Sequence, residues 1–405
     1  MIELLAPAGN EEKLKTALYF GADAVYLSGK KMGLRAFADN FDEDGLKRAV
    51  GLVHGMNKKV YVTVNILAKN GDFAELKDYL KYLDEIGVDA VIVSDLGILC
   101  EVKKHTKLGV HISTQASITN KYSAKFYESI GANRLVMARE LTLGEIKEIR
   151  EHLDDKTEIE AFVHGAMCIS YSGRCLLSDF MAGRHSNRGE CAQSCRWEYV
   201  LSEKTRDGEY YPIQEDERGT YILNSKDMNM LPYVRELDEA GISSFKIEGR
   251  VKSSYYVAGV VNAYRRAINS YFEQGKNFVC PQNLIDDLGK ISHRKYCNGF
   301  YFGKAEQCFD TSKPKQEYDF VALVTENVQG GVIAEQRNRL RVGDEVEVLS
   351  PRESDGKKFV ISEMKNSAGE QIDEAFVVQE KIFIKTDLSL SPNDILRKKS
   401  AVLLK

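Results

Sequence analysis

The chain has 405 residues, 43% of them hydrophobic, enough for one large core and a second, smaller one. A net charge of −4 excludes a protein that coats nucleic acid over its whole surface, so any RNA contact has to be confined to a local face. No run of 18 uncharged apolar residues occurs, nor a basic leader followed by an apolar stretch, and the expectation is a cytoplasmic protein without a membrane segment.

From the N-terminus, short apolar runs rich in β-branched residues alternate with stretches of helical periodicity. The strand candidates are 2-IELLA, 24-AVYLS, 60-VYVTVNI, 90-AVIVSD, 109-GVHIST, 134-RLVMA, 159-IEAFVHG and 243-SSFKIEG. Between them, segments such as 73-FAELKDYLKYLDEI-86 and 142-TLGEIKEIREHL-153 space apolar side chains three and four apart, with charge on the opposite face. The phrases 20-FGADAVYL, 86-IGVDAVIV, 130-IGANRLVM and 240-AGISSFKI each offer a glycine for the left-handed end of a helix and then enter a strand, so one unit repeats. Eight such units predict an α/β chain folded as a (β/α)8 TIM-like barrel over residues 1–275. No G-x-G-x-x-G follows any strand, which argues against a dinucleotide-binding open sheet.

Chemistry in such barrels sits on the loops leaving the C-terminal ends of the strands. The longest of these follows strand seven: a Cys-rich insertion, residues 165–220, with Cys168, Cys175, Cys191 and Cys195, half of the eight cysteines. Four thiols in one loop of a reducing compartment point to metal binding or catalysis rather than disulfides. The spacing C-x6-C-x15-C-x3-C is neither that of a zinc ribbon nor that of a ferredoxin. It suits a [4Fe–4S] cluster whose ligand loop wanders between contacts; zinc is the runner-up, and a catalytic thiol or free core cysteines are the further alternatives. Gly165, Gly173, Gly183 and Gly189 would supply the sharp turns that wrapping a cluster demands. Cys100, Cys280, Cys297 and Cys308 stand alone and are expected to be buried small hydrophobes.

A connecting segment, residues 276–317, holds a last helix at 283-NLIDDLGKI and the mixed cationic and aromatic stretch 292-SHRKYCNGFYFGK-304. Over residues 318–405, the segments 319-DFVALVTE, 330-GGVIAEQ, 343-GDEVEVLSP, 358-KFVISEMKN and 375-AFVVQEKIFIKT predict a small all-β barrel domain.

The string 160-EAFVHGAMCISYSGRCLLS-178 resembles the signature of peptidase family U thirty-two, the collagenase-like proteases, at Glu160, Phe162, Gly165, Ala166, Met167, Cys168, Gly173, Cys175, Leu177 and Ser178. The segments 4-LLAPAGN, 221-YILNSKDM, 246-KIEGRVKSSYY and 292-SHRKYCNGF are also similar to family segments. A barrel followed by one β domain, together with 168-CISYSGRCLLS and 191-CAQSCRWEY, is most similar to the transfer-RNA branch of that family. The resemblance implies tRNA modification: oxygen-independent 5-hydroxylation of the wobble uridine, using an iron–sulfur cluster and linked to prephenate as hydroxyl donor. It further implies the anticodon loop as RNA partner, a small dicarboxylate as second substrate, and a related protein of the family as a possible partner. The family's other label, a collagenase-like peptidase, is the alternative, with Cys168 or Cys175 as nucleophile and His164 or His185 as base. Neither G-x-S-x-G nor H-E-x-x-H occurs.

Further candidates flank the barrel mouth. His111 and Gln115, in 109-GVHISTQAS-117, are expected to face substrate, and His164 to transfer protons or orient a substrate. Glu248, Arg250 and Lys252 close the eighth strand, with Glu248 taken as catalytic, and Arg250, Lys252 and Arg174 would hold a dicarboxylate. For RNA, Arg294 and Lys295 suit phosphates and Tyr301 a splayed base, with the tail 397-RKKSAVLLK-405 as a second cationic stretch.

Overall fold

Eight parallel strands close into a barrel in the computed structural model of the chain, which describes residues 2–400 apart from 31, 34–38, 169, 198–199, 203–209, 213–223, 306 and 309–313. The strands are Glu3–Pro7, Ala24–Leu27, Lys59–Val64, Ala90–Val93, Gly109–Ile112, Arg134–Val136, Glu158–Ala166 and Ser244–Ile247, all at the eight predicted places. Closure is direct: Ser244 stands opposite both Glu3 and Glu160, so the eighth strand pairs with the first and the seventh. Both faces of each strand are buried, as a covered parallel sheet requires. Leu4, Val25, Val62 and Val91 point out beneath the helices, while Leu5, Tyr26, Tyr61 and Ile92 form a separate cluster inside the lumen.

Local sequence sets the helix limits. Asn10 accepts from the Lys13 amide at the start of Glu11–Tyr19, and Thr142 with Glu145 forms a reciprocal capping box at the start of Leu143–Arg150. Just past four helices, Gly21, Gly87, Gly131 and Gly241 take positive φ of 102°, 85°, 91° and 82°, the left-handed ends that the repeated phrase predicts.

The seventh strand does two jobs. Its first residues belong to the barrel; its last, His164, Gly165 and Ala166, pair antiparallel with Asn229, Met228 and Asp227. Asp227–Asn229 in turn pairs with Tyr296–Cys297. The Cys-rich insertion therefore leaves and re-enters at one place. It is then fastened across the barrel mouth: Arg188 forks onto Asp72 (2.8 and 3.0 Å), the Leu67 amide donates to the Asn187 carbonyl (3.1 Å), and Ser117 Oγ donates to the Ser172 carbonyl (3.1 Å). Gly165, Gly173, Gly183 and Gly189 all adopt positive φ. At Gly173 a Cβ would stand 3.0 Å from the Gln115 carbonyl, so the loop's close approach to the barrel depends on the missing side chain.

The C-terminal domain is antiparallel, with strands in the order Lys358–Val360, Glu345–Leu349, Ile395–Lys399, Tyr318–Val328, Gly331–Gln336, Lys381–Lys385, Met364–Lys365 and Gln371–Ile372. Among the described residues the first and last of these do not pair, so the predicted small barrel is an open half-barrel around Val321, Val332, Val346 and Ile382. It packs on the barrel's flank, along helices Glu11–Tyr19 and Ser254–Gln274. Tyr19 donates to Asp394 (2.8 Å), Leu349 and Ile395 join the barrel core, and Arg397 is buried between Glu347 and Asp287. Among the described residues no helix is long and apolar enough to cross a membrane.

Candidate functional site

A cavity opens at the C-terminal ends of the strands, where barrels of this kind place their chemistry. Its lower wall comes from the barrel: Thr63, Ser113, Phe162, Lys246, Glu248 and Arg250. Its upper wall comes from the insertion, and Cys168, Cys175, Cys191 and Cys195 all line it. None of the four is in a disulfide.

The thiol surroundings fit thiolate ligands. Gln193 takes φ of +56°, and its amide donates to Cys191 Sγ at 3.4 Å. Ser186 Oγ (2.7 Å) and Asn187 Nδ2 (3.0 Å) both donate to the Cys175 carbonyl, and Ser178 Oγ accepts from the Ala192 amide (2.7 Å), so the loop is held from within. Among the described residues no three His, Cys, Asp or Glu side chains gather tightly enough to hold a single ion.

Facing the thiols are three cations. Arg250 is 3% exposed and donates from Nη1 to Thr63 Oγ1 (3.0 Å). Arg139 lays its guanidinium 4.0 Å over the Phe162 ring and donates to the Ala166 carbonyl (3.2 Å), while its buried Nε has no hydrogen-bond partner. Lys246 lies deepest, donating to Glu160 Oε1 at 2.5 Å with its ammonium 4.6 Å over the Tyr26 ring. Burial pulls the Lys246 ammonium below its ordinary value, and the charge of Glu160 opposes that pull. The carboxylate of this wall is Glu248, whose backbone is fixed by the His164 carbonyl (2.9 Å) and the Tyr256 hydroxyl (3.1 Å). A wall with three cations and one carboxylate suits an anionic guest.

The predicted residues divide sharply. Gln115, Glu248, Arg250 and the four cysteines meet at the cavity. His111 does not. It points into the lumen one layer lower, edge-on to Tyr61 at 4.5 Å, and burial together with Arg134 and Lys246 holds it well below the ordinary imidazole range, so it stays neutral. His164 lies outside the barrel altogether, enclosed by Tyr256, Tyr264 and Tyr296, and burial with the nearby His293 and Lys252 pulls it to about 3. The period-two rule places it inward with Glu160 and Phe162; a register shift between Lys246 and Ile247 turns it out. Arg174 is exposed and Lys252 sits 5.2 Å over the Tyr256 ring, neither of them lining the cavity.

The RNA candidates change most. Tyr301 is buried and donates its hydroxyl to the Phe162 carbonyl (2.6 Å), so its ring is closed to a base. Arg294 is tied to Asp227 at 3.5 Å and is mostly covered; Lys295 is exposed. Of the tail, Arg397 is buried in the domain seam, Lys398 holds Asp344 (2.7 Å), and residues 401–405 lie outside the described residues. The lone cysteines also split, with Cys297 buried as expected but Cys100 exposed.

The sequence reading missed Arg139 and Lys246. The signal was present: Lys246, like Arg134 and Glu160, is a charge inside an otherwise apolar parallel strand, a position that demands a partner or a function.

Over 403 residues the chain is 40% identical to the tRNA hydroxylation protein P1 of Bacillus subtilis, covering 98% of this chain and 94% of that protein. The tRNA hydroxylation protein P of Escherichia coli is 35% identical, over 91% of this chain and 90% of its own length. A collagenase of Porphyromonas gingivalis is 30% identical, over 75% of this chain and 74% of its own length. Residues 9–310 match peptidase family U32, and residues 316–397 match the peptidase family U32 C-terminal domain. The chain therefore belongs to peptidase family U32.

Proposed function

We propose that this protein hydroxylates C5 of the wobble uridine of tRNA without dioxygen, with a [4Fe–4S] cluster held by Cys168, Cys175, Cys191 and Cys195 and a prephenate-class dicarboxylate as the hydroxyl donor. The observation that carries the reading is the shared cavity: four cysteines on one wall, none in a disulfide, and Arg139, Lys246 and Arg250 on the other. Relatives alike over nearly their full length carry the name of tRNA hydroxylation proteins. When bound, the cluster would supply one-electron chemistry next to the donor.

The chain's own residues would bind, orient and exclude water. Arg250, preset by Thr63, and Arg139, preset on Phe162, would each take a carboxylate as guanidinium forks do. Lys246 would meet an oxygen at the cavity floor, and Glu248 would accept a proton or a hydroxyl hydrogen bond at its rim. The overall exchange moves a hydroxyl from donor carbon to uridine C5 and a hydrogen from C5 to the donor carbon.

The peptidase alternative needs a base beside a thiol. His164 is sealed outside the barrel, and His185, paired with Asp179 at 2.5 Å, does not line the cavity. Nucleoside mass analysis of tRNA from cells lacking the protein tests the reading: a uridine heavier by one oxygen should disappear and return with the wild-type gene. Unchanged tRNA nucleosides would overturn it.

A further inference from the structure

The rim of the cavity carries apolar side chains that a water-filled mouth does not explain. Tyr171 lines the cavity and is still 48% exposed; further along the same insertion Leu176 (56%), Phe180 (83%), Met181 (44%) and Trp197 (45%) are exposed as well. They are neighbours by construction. Leu177 and Ser178 of the helix Leu177–Ala182 line the cavity while Phe180 and Met181 of the same helix face outward, and this helix packs on the turn Ser194–Arg196 that precedes Trp197. The charge of the segment is equally particular. Residues 168–197 hold four arginines and no lysine against one aspartate and one glutamate, a local surplus of positive charge in a chain of net −4.

We infer that this ridge is a stacking platform for unpaired nucleobases of an RNA loop, which it delivers to the cavity. The inference rests on the RNA reading above and moves the contact from Tyr301 and its neighbours to the insertion itself. Exposed rings offer π-faces to bases of any sequence, and the aliphatic side chains between them cover the stack from water. Arginine rather than lysine fits the same guest, because a planar guanidinium both pairs with phosphate and stacks on a base. Arg188 is engaged with Asp72, whereas Arg174, which lies between Tyr171 and Leu176 in sequence, is exposed and would meet the backbone of the bound strand.

Trp197 is the one tryptophan of the chain, so its emission reports on this ridge alone. The full-length protein is titrated with a synthetic RNA hairpin carrying an unpaired loop, and separately with the hairpin's stem as a blunt duplex. The hairpin should quench the emission and the duplex should not. Phe180→Ala should weaken hairpin binding by about tenfold, from the loss of one base–aromatic stack, and Phe180→Tyr should restore it, both with the iron content of the parent. Equal quenching by duplex and hairpin would overturn the platform. Parental hairpin affinity in Phe180→Ala would overturn it too. A parent that binds neither RNA would sink the hydroxylase reading along with this one, so the two failures are told apart.

Discussion

The barrel lumen holds two buried charged regions, one above the other, and they are built on opposite rules. In the lower one Arg134, its side chain 2% exposed, donates to Glu3 (2.5 Å), Glu158 (2.7 Å), Glu160 (3.1 Å) and Ser244 (3.2 Å). Three carboxylates surround one guanidinium, and Tyr61 adds a hydrogen bond to Glu3 (2.7 Å). In the upper one cations outnumber carboxylates, and Arg139 keeps a buried donor without a partner. Buried charge by itself therefore marks no site. A surplus of one sign against a cavity does, because desolvated cations with unused donors are stable only if a ligand or water completes them.

The sharpest break in this comparison comes at the thiols. Cys168→Ser, Cys175→Ser and Cys191→Ser should each reduce bound iron in anaerobically purified protein to background, and Cys195→Ser should do the same if all four thiols are ligands. Cys100→Ser, on an exposed helix position away from the cavity, should keep the parent's iron. Equal iron in every variant would remove the cluster from this wall.

Next in size is the lower network. Arg134→Met should destabilise the fold by about 3–5 kcal/mol in chemical denaturation, since it strands Glu3 without a counter-charge and leaves Glu160 with Lys246 alone. The pH dependence carries the same signature. Burial opposes ionisation of Glu3, yet the hydrogen bond and charge of Arg134, with Tyr61 and Ser244, outweigh it and hold the group below the ordinary 4.5. A carboxyl lowered in the folded state contributes stability that is complete above 4.5 and fades as pH falls through the folded value. Arg134→Met should lose that acid-side decline, because Glu3 then has nothing to lose on protonation. An unaltered pH profile would detach Glu3 from Arg134.

The upper region should respond differently. Arg139→Gln or Arg250→Gln should weaken a dicarboxylate by about 1.5–3 kcal/mol, the size of a charge-assisted hydrogen bond, while changing melting temperature much less than Arg134→Met. Calorimetric titration with prephenate measures the first and thermal unfolding the second. Parental affinity in both variants would empty the anion reading of the cavity.

The smallest effect concerns Tyr301. Tyr301→Phe removes one buried hydrogen bond to the Phe162 carbonyl and should cost about 1 kcal/mol of stability. RNA affinity should not move. A large loss of RNA binding would return Tyr301 to the interface.

Much of this was legible in the sequence because the governing periodicities are local. Eight apolar runs and four helix-ending glycines locate the barrel, and the thiols announce themselves by their number. What escaped depends on depth and on register. Alternation does point His111 inward, but the cavity begins one layer higher, at Ser113. One shifted pair beside Ile247 sends His164 to the opposite face. The mixture of rings and cations in 292-SHRKYCNGFYFGK-304 reads the same whether a ring lies out or in, and only the fold places Tyr301 against strand seven. Arg139 lies just beyond the sixth strand, where no periodicity distinguishes a cavity-facing cation from a surface one.

The pairing of Ala166, Gly165 and His164 with Asp227, Met228 and Asn229 bears on the order of assembly. Because the excursion starts and returns through one short ladder, the ends of the barrel wall are brought together whatever lies between them. The barrel can then close as soon as its strands meet, whatever the thiol loop holds. If the proposed cluster is bound, loading it would then be a late event on a finished scaffold. Protein made without iron should accordingly be a closed barrel ready to be filled, rather than an unfolded chain awaiting its metal.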